Sequence, residues 1–351
     1  MKLDSDMARQ RGQPAGSSRS EEGLEPSLEP PTVSVLIATR NRADPLQDAL
    51  DSLFTDQNLD MPGWEVVVAD NGSTDATVEV CRQFASRFPD RIRWLVESRQ
   101  GKSNALNAGL LETRGEVIAM TDDDVLCAPD FITEIRRVFS DPSIDSAQGR
   151  VFLDWQGGEP TWLDELAKQV MSLRDYGDEM FEWEDRLSGC NMVVRRDAAI
   201  SVGGFAAELG PGTIGISEDS EFSKRLEDEG FRAVYAPSIV VNHQVPAGRV
   251  TPKFLRARRF GMGRSHAYYM DLNRSVWRFG LSALKDSICA ELEASRLRRD
   301  GKPADAIRRQ CNSRERLGFF WQQLLFKLGI KERSLTYLDP GIDSEMERAR
   351  G

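Results

Sequence analysis

Three consecutive aspartates, Asp122-Asp123-Asp124, follow directly on the apolar run Val117-Ile118-Ala119-Met120. Such a run reads as a buried strand, which crowds the carboxylates at its carboxyl end. Like charges at that spacing repel by roughly 1 kcal/mol per pair even in water. A positive partner is therefore expected, and a hard divalent cation with oxygen ligands is the simplest one. The plainer alternative is a solvated acidic turn ahead of a helix starting at Pro129. Asp70 ends a second apolar run and opens Asp70-Asn71-Gly72-Ser73-Thr74-Asp75, which also reads as an Asx turn capping a helix. Farther along, Ser217-Glu218-Asp219 stands at a helix start and His243 closes a strand. The Glu-Asp pair can be an ordinary acidic first turn, and the histidine a satisfied strand-end side chain.

The elements that must position these residues alternate regularly. Strands are expected at residues 33–38, 64–69, 92–96 and 117–120. The first helix should have Asp44 as N-cap and Pro45 at its first position, with Leu46, Leu50, Leu53 and Phe54 on one face. A second carries Val78, Cys81, Phe84 and Phe88, and a third runs near 103–112 with Ser103 as cap. Strands alternating with helices imply parallel βαβ units with helices on both faces of one sheet. Ligands of such sheets bind beyond the carboxyl ends of the strands, so Asp70 and the triplet should converge on one crevice. The later chain is less regular. It carries Trp155, Trp162 and Trp183, which could stack on a sugar or fill a core, then a strand near 190–194 and a glycine turn at Gly203-Gly204. A helix follows from Ser217 to Gly230, and a strand over 231–241 broken at Pro237. Beyond about residue 252 the pattern is helical and rich in arginine.

Composition narrows the function. The 351 residues carry a formal net charge of -10, which disfavours a nucleic-acid partner. The cysteines at 81, 127, 190, 289 and 311 have no paired or metal-ligand spacing, as expected of reduced thiols in a cytoplasm. Residues 1–31 read as a disordered tail without the apolar core of a signal peptide. No stretch reaches the roughly 18 apolar residues that a membrane span needs. The amphipathic segment 317–328 should pack on the catalytic domain, or else lie on a membrane surface or in a dimer contact. Arg256, Arg258, Arg259 and Arg264 are a solvated helix face, a pyrophosphate grip or a membrane-facing patch. The expected division is a tail at 1–31, a catalytic domain at 32–250 with halves 32–125 and 126–250, and a helical extension at 251–351.

Residues 38–42, Ala-Thr-Arg-Asn-Arg, hold no glycine, which argues against a dinucleotide fingerprint and a phosphate-cradling loop. Side chains could still hold a nucleotide: Asp70 accepts from a base N–H, while Arg40 or Arg99 meets base oxygens or phosphates.

In their order, these motifs resemble glycosyltransferase family 2. The resemblance spans about residues 33–263 and rests on 38–42, 70–75, Gly101-Lys102-Ser103-Asn104-Ala105-Leu106-Asn107-Ala108-Gly109 and Thr121-Asp122-Asp123-Asp124. It continues with Gly189-Cys190-Asn191, Val202-Gly203-Gly204-Phe205, Glu218-Asp219 and Gly230. It implies the GT-A fold, a Rossmann-like, mostly parallel sheet with helices on both faces. It also implies transfer of one sugar, with inversion, from a nucleotide-diphosphate sugar, most commonly a UDP-sugar, to a carbohydrate or lipid-linked acceptor. Asp122 would face the donor ribose, Asp124 would ligate Mg²⁺ or Mn²⁺, and Asp219 would be the base. Ala38, Arg40, Asp70, Arg99, Lys102 and Asp123 would complete the donor site, with His243 a second metal ligand. The Gln-x-x-Arg-Trp motif of the family's processive members is absent, which fits a single addition. A retaining glycosyltransferase and a nucleotidyltransferase are the alternatives.

Overall fold

The computed structural model describes residues 32–271 and 275–339. The expected tail at 1–31 and the last residues of the expected extension lie outside the described residues.

Strand β1 (Val33–Thr39) is wholly buried and sends alternate side chains to two cores. Val33, Val35 and Ile37 face one, Leu36 and Ala38 the other, which is the period of two that a strand imposes. Helices α1 (Ala43–Leu53) and α3 (Thr77–Arg87) cover the first face, and α4 (Lys102–Glu112) covers the second. A short α2 (Asp56–Leu59) precedes β2 (Trp64–Asp70), which is followed by β3 (Ile92–Val96), β4 (Val117–Asp122) and β5 (Val125–Cys127). Next come α5 (Phe131–Phe139), β6 (Ser146–Trp155), α6 (Glu165–Val170), β7 (Phe181–Glu182) and β8 (Asn191–Arg195). They lead to α7 (Arg196–Ser201), α8 (Glu218–Asp228) and β9 (Ala233–Val245). The chain ends in α9 (Pro252–Tyr269), α10 (Val276–Arg299) and α11 (Pro303–Lys327).

Among the described residues, all nine strands join one sheet in the order β3-β2-β1-β4-β8-β6-β9-β5, with β7 paired to β9. The parallel expectation holds for β3-β2-β1-β4. Beyond β4 the sheet is mixed: β8 runs antiparallel to β4 and β6, and β5 and β7 run antiparallel to β9. Strand β9 continues through Pro237 to Val245. The expected break is instead a register shift opposite Gly149 and Arg150, where a proline needs no ladder bond. Asn191 stabilises the shift, donating to the carbonyls of Arg150 and Ile239. It lies so close that a Cβ on Gly149 would fall 2.2 Å from its side chain. Asn191 is thus part of the sheet.

Two expected helix caps are replaced by tertiary ones. Helix α1 starts at Ala43, and its first N–H groups are met from the loop after β2: Thr77 Oγ1 accepts from Arg42 and Asp75 from Ala43. Helix α4 has Gly101 as cap, because the Ser103 hydroxyl donates instead to the Leu209 carbonyl. Trp183 is buried among Tyr176, Phe181 and Tyr235, whereas Trp155 and Trp162 are half-buried.

Of the terminal helices, α11 packs against both α9 and α10. Segment 317–328 packs inward through Phe319 against Phe279 and Phe326 against Tyr268. Three of the four arginines singled out on α9 bridge to α11: Arg256 to Gln310, Arg259 to Glu315 and Arg264 to Gln322. At the α9–α11 crossing, backbone meets backbone. A Cβ on Gly263 would lie 1.9 Å from the Glu315 carbonyl oxygen, and one on Gly318 2.0 Å from that of Phe260. Helix propensity alone makes Gly→Ala stabilising by about 1 kcal/mol. At Gly318 we expect the opposite sign, a loss of about 1–3 kcal/mol in urea unfolding, because the helices must separate.

Candidate active site

The strand order turns at β1, with β2 on one side and β4 on the other, and ligands of open α/β sheets bind at such a switch point. Register aligns the carboxyl ends there: Thr39 lies beside Asp70 and Ala38 beside Asp122. A cavity of about 580 Å³ opens over this edge. Ala38, Arg40, Arg42, Asn71, Lys102, Asp122, Asp123 and Asp124 line it from the first half of the chain. Gly189, Glu218, Asp219, His243, Arg249 and Arg258 line it from the second.

Carboxylates and cations interleave in its wall. Lys102 from the start of α4 donates to Asp122 at 2.5 Å and lies 3.4 Å from Glu218. Burial opposes its charge, but Asp122, Glu218 and Asp219 outweigh that and raise the ammonium above its ordinary range. Arg42 sits 3.3 Å from Asp123 and donates to Asp124 at 2.5 Å. Burial, opposed by Arg42 and reinforced by Asp124, pushes Asp123 up to about 6. Burial also works against ionised Asp124, yet His243, Arg249 and Arg42 hold it well below the usual carboxylate range. Burial raises Glu218, with Lys102 opposing and Asp219 adding to the shift.

One oxygen of Asp124 takes both arginines, Arg42 at 2.5 Å and Arg249 at 2.8 Å. The other faces His243 Nε2 at 3.5 Å. His243 Nδ1 lies 2.8 Å from the Met171 carbonyl, which only accepts, so Nδ1 donates there and Nε2 is the nitrogen that faces Asp124. Two ligands about 2.1 Å from one octahedral cation sit roughly 3 Å apart in neighbouring positions, so this pair suits a divalent ion. Among the described residues no three His, Cys, Asp or Glu side chains gather as a metal cluster. A cation held here would have this pair from the protein, with phosphates and waters left to complete its shell.

Asp219 stands on the first turn of α8, preceded by Ser217 in the left-handed conformation at φ 84°. That backbone is costly for a non-glycine residue and aims the helix start at the cavity. Its Oδ1 accepts from the Ser220 N–H at 2.7 Å and its Oδ2 from the Gly189 N–H at 2.9 Å. The carboxylate is thereby fixed with lone pairs left to take a proton.

Of the residues the sequence singled out, Ala38, Arg40, Lys102, Asp122, Asp123, Asp124, Asp219 and His243 share this cavity. Asp70 and Arg99 do not line it. Asp70 is wholly buried and accepts from the Ser73 N–H, which makes it the Asx turn; its neighbour Asn71 faces the cavity. Arg99 turns away to pair with Glu97 at 2.8 Å. Strand β4 ends at Asp122, and the turn after it brings Asp123 to Thr39 and Arg42 in the cavity wall. Asn107 does not reach the cavity; it clamps both backbone groups of Phe205. Sequence reasoning missed Asn71, Glu218 and Arg249 as wall residues. Glu218 and Asn71 lay inside quoted motifs, while Arg249, on a single 3₁₀ turn after β9, carried no signal. Lys102→Met leaves Asp122 and Glu218 in this wall without their cation; we expect about 3 kcal/mol lost in urea unfolding, mostly recovered by Lys102→Arg.

Comparison with known proteins agrees with this geometry. Residues 34–203 match the model for Glycosyl transferase family 2. Glycosyltransferase AglE of Haloferax volcanii is 28% identical over 251 residues, 69% of this chain and 75% of AglE. The succinoglycan biosynthesis protein ExoM of Rhizobium meliloti is 25% identical over 266 residues, 74% of this chain and 82% of ExoM. Among solved structures, mannosyltransferase PcManGT from Pyrobaculum calidifontis, in complex with GDP-Man and Mn²⁺, superposes with a TM-score of 0.55 at 21% identity, covering 87% of this chain and 89% of that one. With the motifs in family order and the sheet switching at β1, residues 34–203 are similar to glycosyltransferase family 2, and the chain is a glycosyltransferase of the GT-A fold.

Proposed function

We propose that this glycosyltransferase moves one sugar, with inversion and with a divalent cation bound, from a nucleotide-diphosphate donor to an acceptor hydroxyl. The observation that carries the reading is that Asp122 and Asp124 line a single cavity with the sequence-distant Asp219 and a basic set. That set is Arg40, Arg42, Lys102, Arg174, Arg249 and Arg258, against the carboxylates of Asp122, Asp123, Asp124, Glu218 and Asp219. A diphosphate entering with a divalent cation adds nearly no net charge to this balance, whereas either one alone would upset it.

Asp124 and His243 would hold the cation, which supplies positive charge at the departing diphosphate. The PcManGT structure with the same fold contains Mn²⁺ and GDP-Man, which supports a metal and a donor of this kind. Arg42, Lys102, Arg249 and Arg258 hold the diphosphate oxygens; Arg258 is itself braced by its bond to the Val170 carbonyl. Asp122 and Asn71 face the ribose and base. Asp219 takes the proton of the acceptor hydroxyl. That oxygen forms its bond to the anomeric carbon as the bond to the phosphate oxygen breaks, and the electron pair leaves with the diphosphate. UDP-sugars and GDP-sugars are the donor sets to test first.

A second cavity of about 580 Å³ abuts the first and shares Gln169, Val170, Arg174, Ser220 and Met262 with it. Ser220 follows Asp219, so an acceptor lying there presents its hydroxyl to the base. Trp162, Leu255, Tyr269 and Ile307 give the cavity apolar faces suited to a sugar ring or an attached aglycone.

Asp219→Asn keeps the size and hydrogen-bond reach of the side chain but removes the base. We expect transfer to fall about 100- to 10,000-fold while nucleotide binding persists. Proton NMR of the wild-type product should show the anomer opposite to the donor's; retention would refute inversion. Ala304→Trp, at the wall of the second cavity, should lower kcat/KM for the acceptor about tenfold or more with donor KM unchanged.

A further inference from the structure

Helix α10 has two faces of different chemistry. Its inner face, Phe279, Gly280, Ala283, Ala290 and Ala294, is buried. Its outer face carries Trp277, Leu281, Leu284, Ile288 and Leu292, exposed by 56%, 71%, 49%, 66% and 69%. Steps of four, three, four and four residues place them on one stripe, roughly 22 Å long at the helical rise. A contiguous apolar strip of this kind is larger than scattered surface residues explain, and such patches mark contact sites. At the same end, Trp321 of α11 and Leu328 and Ile330 just beyond it are exposed. The packing of Phe319 on Phe279 fixes that alignment.

Charge decides what covers the stripe. Arg278, Lys285 and Arg296 are exposed and recur on one flank, roughly 60–80° from the centre of the stripe at 3.6 residues per turn. The acidic residues of α10 are already engaged by α11: Asp286 and Glu293 by Arg309, and Glu291 by Gln310 and Arg314. Among the described residues Arg278 and Lys285 have no carboxylate partner, and Arg296 reaches Asp300 only at 3.7 Å. The outer face therefore presents net positive charge on a chain whose overall charge is -10. A second copy set against it would bring like charges together, since its acids are bound within its own helices. An anionic surface matches both parts at once, taking the side chains of the stripe among its acyl chains and the cations at its headgroups. No described helix is long and apolar enough to cross a membrane.

We propose that the outer face of α10 seats this enzyme on an anionic lipid bilayer. The interaction is peripheral and reversible, with the stripe and the basic flank acting together. It stands independently of the reaction assigned to the cavity.

The test is vesicle flotation of the full chain with mixed phosphatidylcholine–phosphatidylglycerol vesicles and with phosphatidylcholine alone, at low and high salt. Wild type should float with the mixed vesicles, and far less with neutral ones or at high salt. Leu281→Glu with Ile288→Glu should abolish flotation. Arg278→Gln with Lys285→Gln should weaken it about 25-fold, near fivefold per charge. Circular dichroism and nucleotide binding should be unchanged in both, since neither pair touches the cavity. No flotation of wild type, or flotation of the Glu variant like wild type, would overturn the proposal. So would a wild-type dimer by light scattering that the Glu pair splits, because a second copy would then cover the stripe.

Discussion

Everything at the site depends on holding five carboxylates in one wall without driving it apart. Asp122, Asp123, Asp124, Glu218 and Asp219 face a common cavity, Asp124 and Glu218 buried and the other three half-buried. Desolvated like charges are far costlier than exposed ones, so each needs a cation or a fixed donor within reach. Lys102 serves Asp122 and Glu218, and Arg42 serves Asp123 and Asp124. Arg249 adds a second contact to Asp124, and two backbone N–H groups hold Asp219. The cations come from the α1 start, the α4 start and the turn after β9, so the carboxylate wall also ties those segments together.

This constraint explains why the loops at the sheet edge are tied to each other as well as to the strands. Asn41 sits at φ 53° and accepts from the Thr74 N–H, while Ser73 accepts from the Asn41 N–H. Asn71 accepts from Gly101 and donates to the carbonyls of Glu97 and Arg99, joining the ends of β2 and β3 to the start of α4. Asp70 beneath them closes its own turn. These residues place Arg42 and Lys102 to within hydrogen-bond distance of the triplet, the precision an electrostatic site requires.

Much of this was legible in the sequence where the signal is local. Apolar runs marked β1, β2, β3 and β4, and their order with the helices marked the parallel half and its binding edge. The acidic triplet, the Glu-Asp pair and His243 were visible as chemistry-bearing residues, and the structure brings them together. What escaped depended on distant partners. The caps of α1 came from Asp75 and Thr77, over thirty residues away, which no local pattern announces. Arg99 met a nearer carboxylate in Glu97 and left the site. Arg249 looked like any loop arginine, because its value lies in facing Asp124 across 125 positions. The mixed pairing of the second half was hidden because strand direction is set by pairing, which periodicity cannot report.

The central claim is that Asp124 and His243 share one cation with a bound diphosphate. The most direct measurement is electron–nuclear double resonance of the protein with Mn²⁺ and a nucleoside diphosphate. The account predicts phosphorus couplings from the diphosphate together with a nitrogen coupling from one imidazole, the latter lost in His243→Gln and kept in His266→Gln. A Mn²⁺ spectrum with no phosphorus coupling, or with a nitrogen coupling that survives His243→Gln, would contradict it.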